Sequence, residues 1–336
     1  MNKKLRTAIQ YVFFLGLGIF LLWWSAKDLT PDQRAELKHS LAHSKYIFVI
    51  PAMFLLLLGH YSRALRWKIL MEPLGYNPST INTFFAVMTG YLFNLFVPRL
   101  GEVMKCTILG KYENVPADKL VGTIVAERAF DVICLVLLIL LTIFTQVGII
   151  GDYASVQFRH FFMDAAGHFR FKKIITLIAI LIAVFLVARW ILNKFAHIDF
   201  VQKINNIVKG VWLGISSAKY INKKGWFFFH TVFIWLMYLG SVRIGLYAME
   251  PVSHLGFRAS LSILTFGSLA MIVTQGGIGA YQLAIQKLMP LYGIGEADGL
   301  GFGWVLWAAQ TAIVVVIGFL CLFLLPVFNR KKNEAV

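Results

Sequence analysis

Residues 302–328 read FGWVLWAAQTAIVVVIGFLCLFLLPVF, an apolar run without a charged side chain. A helix needs roughly 20 apolar residues to cross about 30 Å of hydrocarbon, so this run is long enough to span a bilayer. Five further blocks are nearly free of charge, at 7–24, 46–61, 132–150, 174–188 and 226–249. One such block would suit a buried core helix, but six predict an all-α integral membrane protein with about six full transmembrane helices.

The composition excludes an ordinary soluble protein. Of the 336 residues, 59% are hydrophobic and only 14% are charged, whereas soluble domains carry roughly a quarter charged residues. The three cysteines are isolated, and no metal-binding, nucleotide-binding or nucleophile motif stands in a suitable context. We therefore expect no metal, no cofactor and no separate catalytic domain, which favours a transporter over an enzyme.

The net charge of +16 comes from basic residues that flank the apolar blocks. This distribution indicates membrane orientation and contact with anionic headgroups, and it argues against a nucleic-acid partner. A cytoplasmic amino terminus places a clear excess of the 32 Lys and Arg residues on the cytoplasmic side, with Arg63 and Arg66 among them. We expect a multi-pass protein of the cytoplasmic membrane with both termini cytoplasmic and with the first span retained.

Two apolar stretches are too short for ordinary spans, and both end in a break. Residues 83–97 are followed by Pro98-Arg99-Leu100-Gly101-Glu102, and residues 259–274 by Gln275-Gly276-Gly277-Ile278-Gly279. Proline, paired glycines and charges at bilayer depth are tolerated where the backbone faces protein or a wet cavity. The pattern predicts two re-entrant helical hairpins, although two pairs of short full spans would give the same topology.

With these hairpins, the single transmembrane domain (1–336) divides into two similar halves. The halves cover about 1–150 and 172–330, joined by an outer loop at 151–173, and each runs span, span, hairpin, span. An odd number of spans per half inverts the second half, as in the inverted repeats of secondary transporters. Residues 193–224 have apolar side chains at helical spacing, which suits an amphipathic helix on the cytoplasmic surface or a linker docked on the protein.

Charged residues concentrate around the first break and in the span after it. Charges at membrane depth normally pair or line a wet path, and Arg is well suited to gripping phosphate. The candidates for binding an anionic substrate are Asn94, Arg99, Lys105, Arg128, Gly276, Gly277, Gly279 and Gln282. The candidates for a structural or proton-coupling role are Pro98, Gly101, Glu102, Glu127 and Asp131.

Each of these groups also has a structural alternative. Arg128 and Asp131 are three apart and can pair on one helix face, and Glu127 can pair with Arg99 or Lys105. In that case the charges only hold the first hairpin against the next span. The glycines of the second break either direct backbone amides at an anion or simply allow a tight turn.

The chain resembles the lysylphosphatidylglycerol synthase transmembrane-domain, or flippase-like, family. Three motifs carry the resemblance in order: Asn94-Leu-Phe-Val-Pro98-Arg99-Leu-Gly101-Glu102-Val-Met-Lys105, then Glu127-Arg128-Ala-Phe-Asp131, then Gly276-Gly277-Ile278-Gly279. The resemblance covers nearly the whole chain, and it departs from the family pattern where Lys105 replaces an Arg and Gln282 replaces a Glu. It implies lipid translocation without the soluble aminoacyl-transferase domain of the bifunctional members.

The resemblance therefore favours a flippase-like transporter of an anionic phospholipid or a polyprenyl-phosphate-linked lipid. One alternative is an integral-membrane transferase in which Glu102 or Glu127 is a general base. The other is a scaffold that recruits a cytosolic lipid-modifying enzyme through residues 193–224.

Overall fold

Helices follow the apolar blocks of the sequence. The computed structural model describes residues 16–27, 29–97, 99–146 and 221–330, and within these residues the regular structure is helical, with no strand. The helices are residues 16–27 (α1), Pro31–Ala42 (α2), Val49–Met71 (α3), Thr80–Phe96 (α4), Leu100–Glu113 (α5), Ala117–Thr145 (α6), Lys224–Gly245 (α7), Glu250–Ser253 (α8), Phe257–Val273 (α9), Ala280–Leu288 (α10) and Glu296–Phe328 (α11). The predicted all-α class is confirmed.

Three helical segments of the described chain are long and apolar enough to cross a membrane: Tyr46–Leu74, Lys224–Ala248 and Glu296–Phe328. At most a third of the apolar window of each is buried inside the protein, so large aliphatic and aromatic side chains face outward. Such an outer surface suits lipid and not water. The predicted span at 132–150 is helical as far as Thr145, whereas the span at 174–188 and the segment 193–224 lie outside the described residues.

The chain forms two compact units. The first consists of Met1–Glu127 and Ser217–Val336, and the second of Arg128–Ser216. In the second unit the structure describes residues 128–146, which continue α6 with exposed apolar side chains such as Val136 and Phe144. The division into halves of about 1–150 and 172–330 stays a prediction, because the described residues leave out 147–220.

The first break produces a helical hairpin of α4 and α5, called here the first hairpin. Near its tip Gly90 packs against Gly101, and near its base the side-chain amide of Asn82 donates to the carboxylate of Glu113. These pairings fix α4 and α5 as antiparallel neighbours. The two glycines let the backbones approach closely, as small residues do between membrane helices.

The second break produces a similar hairpin of α9 and α10, the second hairpin. Gly267 packs against the ring of Tyr281 near the tip, and the hydroxyl of Tyr292, just beyond α10, donates to Ser262 Oγ at 2.7 Å near the base. A short 3₁₀ turn, Gln275–Gly277, separates the two helices. Both predicted breaks in the helical pattern are therefore present.

The two hairpins lie along opposite halves of α11, whose 33 residues extend for about 50 Å. The second hairpin packs on the amino-terminal half, where Lys287 Nζ lies 2.8 Å from the Glu296 carboxylate. The first hairpin packs on the carboxyl-terminal half and ends in a reciprocal amide pair, with 2.9 Å in each direction, between Asn82 and Asn329. The broken ends of both hairpins therefore point toward the middle of α11.

Candidate functional site

Three basic side chains from two helices converge on the carboxylate of Glu127. Arg63 Nη1 and Arg66 Nη2 lie 3.2 and 3.7 Å from Glu127 Oε1, and Lys105 Nζ lies 3.4 Å from Oε2. We call Arg63, Arg66, Lys105 and Glu127 the basic cluster. All four residues belong to the first unit of the chain.

Helical spacing explains how the cluster forms. Arg63 and Arg66 are three residues apart on α3, so both point to the same side of that helix. Lys105 follows Gly101 by one turn on the buried face of α5, and Glu127 follows Thr123 by one turn on the buried face of α6. The first hairpin thus supplies one cation, α3 supplies two, and α6 supplies the anion.

The cluster is withdrawn from water. The exposed fractions are 6% for Arg63, 0% for Arg66, 2% for Lys105 and 1% for Glu127. Removing charges from water costs several kcal/mol per ion, and close opposite charges offset that cost only with good geometry. Such a concentration of charge in an apolar helical bundle is the usual mark of a functional region.

Aromatic side chains surround the cations. Lys105 Nζ lies 4.9 Å from the ring centre of Trp67 and 5.5 Å from that of Tyr91, and the Arg66 guanidinium lies 5.9 Å from that of Phe227. Trp67 Nε1 in turn donates to Thr123 Oγ1 at 2.9 Å. Aromatic faces stabilise cations without neutralising them, so the cluster retains its ability to attract an anion.

The tip of the first hairpin holds the remaining residues of the first motif. Asn94 Oδ1 accepts a hydrogen bond from the backbone amide of Gly101 at 2.8 Å, which closes the turn. Arg99 has a left-handed backbone conformation, with φ of 66°, and its side chain is exposed. Lys105, by contrast, is buried. The structure therefore separates Arg99 from the basic cluster, and Pro98 lies outside the described residues.

In the glycine turn of the second hairpin, backbone amides donate hydrogen bonds to groups of the same hairpin. Gly276, Gly277 and Gly279 have positive φ angles of 59°, 73° and 76°, as a tight turn requires. The amide of Gly277 donates to the carbonyl of Thr274 at 3.1 Å, and that of Gly279 donates to Gln282 Oε1 at 2.9 Å. In this conformation these two amides hold the turn together, which is the structural role considered for them above.

The tips of the two hairpins touch. The side-chain amide of Gln275 donates to the backbone carbonyl of Asn94, and Leu95 packs against Gly276. Trp307, near the middle of α11, donates through Nε1 to the carbonyl of Gly276 at 2.8 Å. The two breaks are far apart in the sequence, but these contacts make their residues neighbours in the structure.

Other predicted residues lie elsewhere. Glu102 is half-buried on α5, where it lines a groove between α5 and α6 together with Arg99. Arg128 is exposed and Asp131 is half-buried, and both belong to the second unit. Among the described residues, no group of three or more His, Cys, Asp and Glu side chains is arranged to hold a metal ion.

Sequence reasoning missed two members of the cluster. Arg63 and Arg66 were assigned to the cytoplasmic side because they follow an apolar block that ends near residue 61, and their burial beside Glu127 was not predicted. The helix continues, within a span of Tyr46–Leu74, and buries both arginines in the bundle. Their three-residue spacing, followed by Trp67, was the available signal.

Comparisons with known proteins agree with the family resemblance of the sequence. Residues 9–318 match the family described as the lysylphosphatidylglycerol synthase TM region. The chain is also similar to the UPF0104 membrane protein MJ1595 of Methanocaldococcus jannaschii, with 24% identity over 263 residues that cover 69% of this chain and 71% of that protein. No solved structure matches the chain. The protein therefore belongs to the family of the lysylphosphatidylglycerol synthase transmembrane region, as the match over most of its length shows.

Proposed function

We propose that this protein moves a lipid with an anionic, phosphate-bearing headgroup between the leaflets of the cytoplasmic membrane. The excess of Lys and Arg assigned to the cytoplasmic side supports this location, with both termini cytoplasmic. Family membership supports a lipid-related role in the membrane. The observation that carries the proposal is the basic cluster.

The cluster has the chemistry of a phosphate site. Guanidinium groups bind phosphate through paired hydrogen bonds, and the compact ammonium of Lys105 adds a point charge. In the closed bundle the Glu127 carboxylate contacts all three cations. An arriving headgroup phosphate would exchange with Glu127, so that the cations keep an anionic partner throughout and are never left bare in the bilayer.

The hairpins supply a means of access. Broken helices that meet near the bilayer midplane form the binding sites of many secondary transporters. Here the Gln275–Asn94 contact joins the two tips, and Lys105 lies on the same hairpin as Asn94. Separation of the tips would move α5 and thereby expose the cluster, so a headgroup would pass while its acyl chains remain in lipid. Protonation of Glu127 on release would couple the cycle to a proton gradient.

A lipid-translocation assay tests the proposal. Purified protein is reconstituted in phosphatidylcholine vesicles that contain tail-labelled phosphatidylglycerol, polyprenyl phosphate or diacylglycerol, and the label of the outer leaflet is quenched. We expect the two phosphate lipids to equilibrate faster than in protein-free vesicles. Lys105→Gln should abolish most of this acceleration, whereas Lys287→Gln, which removes a lysine from an exposed ion pair, should retain it.

The alternatives give different results in the same vesicles. A transferase would convert the lipid into a new product that mass spectrometry detects. A scaffold would leave leaflet exchange at the protein-free rate, with wild type and Lys105→Gln indistinguishable. Either outcome overturns the proposal of lipid translocation.

A further inference from the structure

Two histidines lie side by side at the carboxyl-terminal end of α2. His39 is in the last turn of the helix, and His43 caps it. Their rings are stacked, with centres 4.0 Å apart and planes inclined by 25°. Side chains four residues apart point to the same side of a helix, and helices present two imidazoles to a zinc ion at this spacing. Both residues belong to the first unit of the chain, on a helix that does not contribute to the basic cluster.

The packing of α2 fixes which face the histidines occupy. Leu37 and Leu41 point toward α11, where a Cβ atom at Gly301 would lie within 4 Å of both side chains. Each histidine follows one of these leucines by two residues, which is about 200° around a helix. The imidazole rings therefore face away from α11, and both are exposed. Ser40 Oγ donates to Asp298 Oδ1 at 2.6 Å and holds α2 in this orientation.

One hydrogen bond prepares His43 for coordination. Its Nδ1 lies 2.9 Å from the backbone carbonyl oxygen of His39. A carbonyl oxygen can only accept, so Nδ1 carries the proton in this bond, and the neutral ring presents the lone pair of Nε2. Histidines that bind metals commonly donate their other ring N–H to a carbonyl or carboxylate oxygen, which fixes the tautomer and the orientation of the ring.

The charges on α2 favour a cation at this face. Asp32 and Glu36 each stand seven residues, or about two turns, before one of the histidines, on the same side of the helix. Arg34 and Lys38 each stand five residues before a histidine, about 140° around the helix. Carboxylates on the side of the imidazoles raise the local concentration of cations there.

Two imidazole ligands narrow the class of metal. Imidazole suits Zn²⁺, Cu²⁺ and Ni²⁺, whereas Mg²⁺ and Ca²⁺ take oxygen ligands. The described residues contain no set of three or more His, Cys, Asp or Glu side chains that could hold a metal, so water would complete the coordination sphere. The expectation of no metal concerned the cysteines and the catalytic motifs, and it left out the spacing of four between these two histidines.

We propose that His39 and His43 form an exchangeable site for one divalent transition-metal ion of the Zn²⁺, Ni²⁺ and Cu²⁺ class. The exposed ring of His39 turns out of the stack, so that a nitrogen of each ring reaches the ion. The bound ion links the last turn of α2 to its cap and reduces fraying of that turn. With the cytoplasmic amino terminus expected from the sequence, the site lies on the outer side of the membrane. It is independent of lipid translocation.

Metal titration tests the site. The protein is purified without a polyhistidine tag, stripped with a chelator and placed in phosphatidylcholine nanodiscs, in which both faces are accessible. Calorimetry with Zn²⁺ or Ni²⁺ should show a single site in the micromolar range that EDTA reverses. Pulsed electron paramagnetic resonance of bound Cu²⁺ should show two imidazole ligands, and bound Zn²⁺ should slow amide exchange at residues 40–45 severalfold.

Variants separate metal binding from capping. His39→Ala and His43→Ala should each weaken binding about tenfold or more, since loss of even an outer-shell partner of a metal ligand costs about 10- to 100-fold. His254→Ala, at another exposed histidine, should leave binding unchanged. In His43→Asn the side-chain amide can still donate to the His39 carbonyl, so amide exchange without metal should match the wild type while the metal site is lost.

Three outcomes overturn the proposal. One is binding that saturates only at millimolar metal, which is adventitious. Another is micromolar binding that survives both His39→Ala and His43→Ala. The third is a Cu²⁺ spectrum with fewer than two imidazole ligands. None of these measurements involves lipid translocation, so the metal site and the proposed function stand or fall separately.

Discussion

The side-chain amide of Gln275 donates a hydrogen bond to the backbone carbonyl of Asn94, so the broken ends of the two hairpins touch. Asn94 also accepts, through its side chain, from the amide of Gly101. One residue of the first hairpin therefore closes its own turn and anchors the second hairpin. In the function proposed above, this contact would be the closed gate on the route of the lipid headgroup.

Gln275→Ala should open this gate with little loss of stability. A single hydrogen bond between membrane helices contributes about 0.6 kcal/mol on average, so the unfolding free energy should fall by less than about 1 kcal/mol. Leaflet exchange of labelled phosphatidylglycerol in vesicles should nevertheless become severalfold faster, because the gate opens more often. Gln33→Ala, which removes an exposed glutamine from the cap of α2, serves as the control: it also loses one hydrogen bond but should leave leaflet exchange unchanged. Unaltered exchange in Gln275→Ala would contradict the role of the tip contact.

Glu127→Gln should destabilise the protein more than Lys105→Met. Glu127 contacts three buried cations, so its neutralisation leaves all three less compensated, whereas the loss of Lys105 leaves Glu127 with Arg63 and Arg66. Breaking a buried pair typically costs about 3–5 kcal/mol, and we expect Glu127→Gln to approach that range. Unfolding in mixed detergent micelles measures the difference.

The matched control for this comparison is Glu296→Gln. Its partner Lys287 is exposed, so the expected loss is about 0–1 kcal/mol. Equal stability of Glu127→Gln and the wild type would show that Glu127 is not the counter-ion on which the cluster depends.

Gly101→Ala should disrupt the first hairpin. A Cβ atom at Gly101 would overlap the backbone carbonyl of Gly90, and neither backbone has room to shift without separating α4 from α5. We expect a loss of several kcal/mol or failure to insert, measured as the yield of monodisperse protein and its melting temperature. Gly122→Ala, where a Cβ meets no atom within 4 Å, should be neutral or stabilising by up to about 1 kcal/mol. Similar yields and melting temperatures for both variants would refute the close packing of the hairpin.

The helical class and both hairpin breaks were predictable from the sequence, because hydropathy and the positions of glycine and charge report them directly. The Lys105–Glu127 pair was also among the expected pairings. The sequence did not reveal that Arg63 and Arg66 belong to the basic cluster, since the positive-inside rule sorts basic residues only by their position along the chain. Whether an arginine faces the bundle depends on helix rotation and packing, which the sequence does not state.

The glycine turn could not be assigned to either of its two roles from the sequence. Anion binding and a tight turn were both open, and in the structure Gly279 donates to Gln282, a side chain of the helix that follows. Buried amides need partners in the protein itself when no ligand is bound, and a glutamine one turn away can supply one. Whether the amides of such a turn bind an anion or a side chain of the protein depends on side-chain conformation. The spacing of the residues along the chain is the same in both cases.

The most direct test of the proposed function is a structure of the protein in nanodiscs that contain phosphatidylglycerol. We expect a lipid phosphate within hydrogen-bond distance of Lys105 Nζ or of the guanidinium groups of Arg63 and Arg66, with the Glu127 carboxylate moved away from the position it occupies 3.4 Å from Lys105. The absence of any lipid phosphate at these three cations, with Lys105 still paired to Glu127, would contradict it.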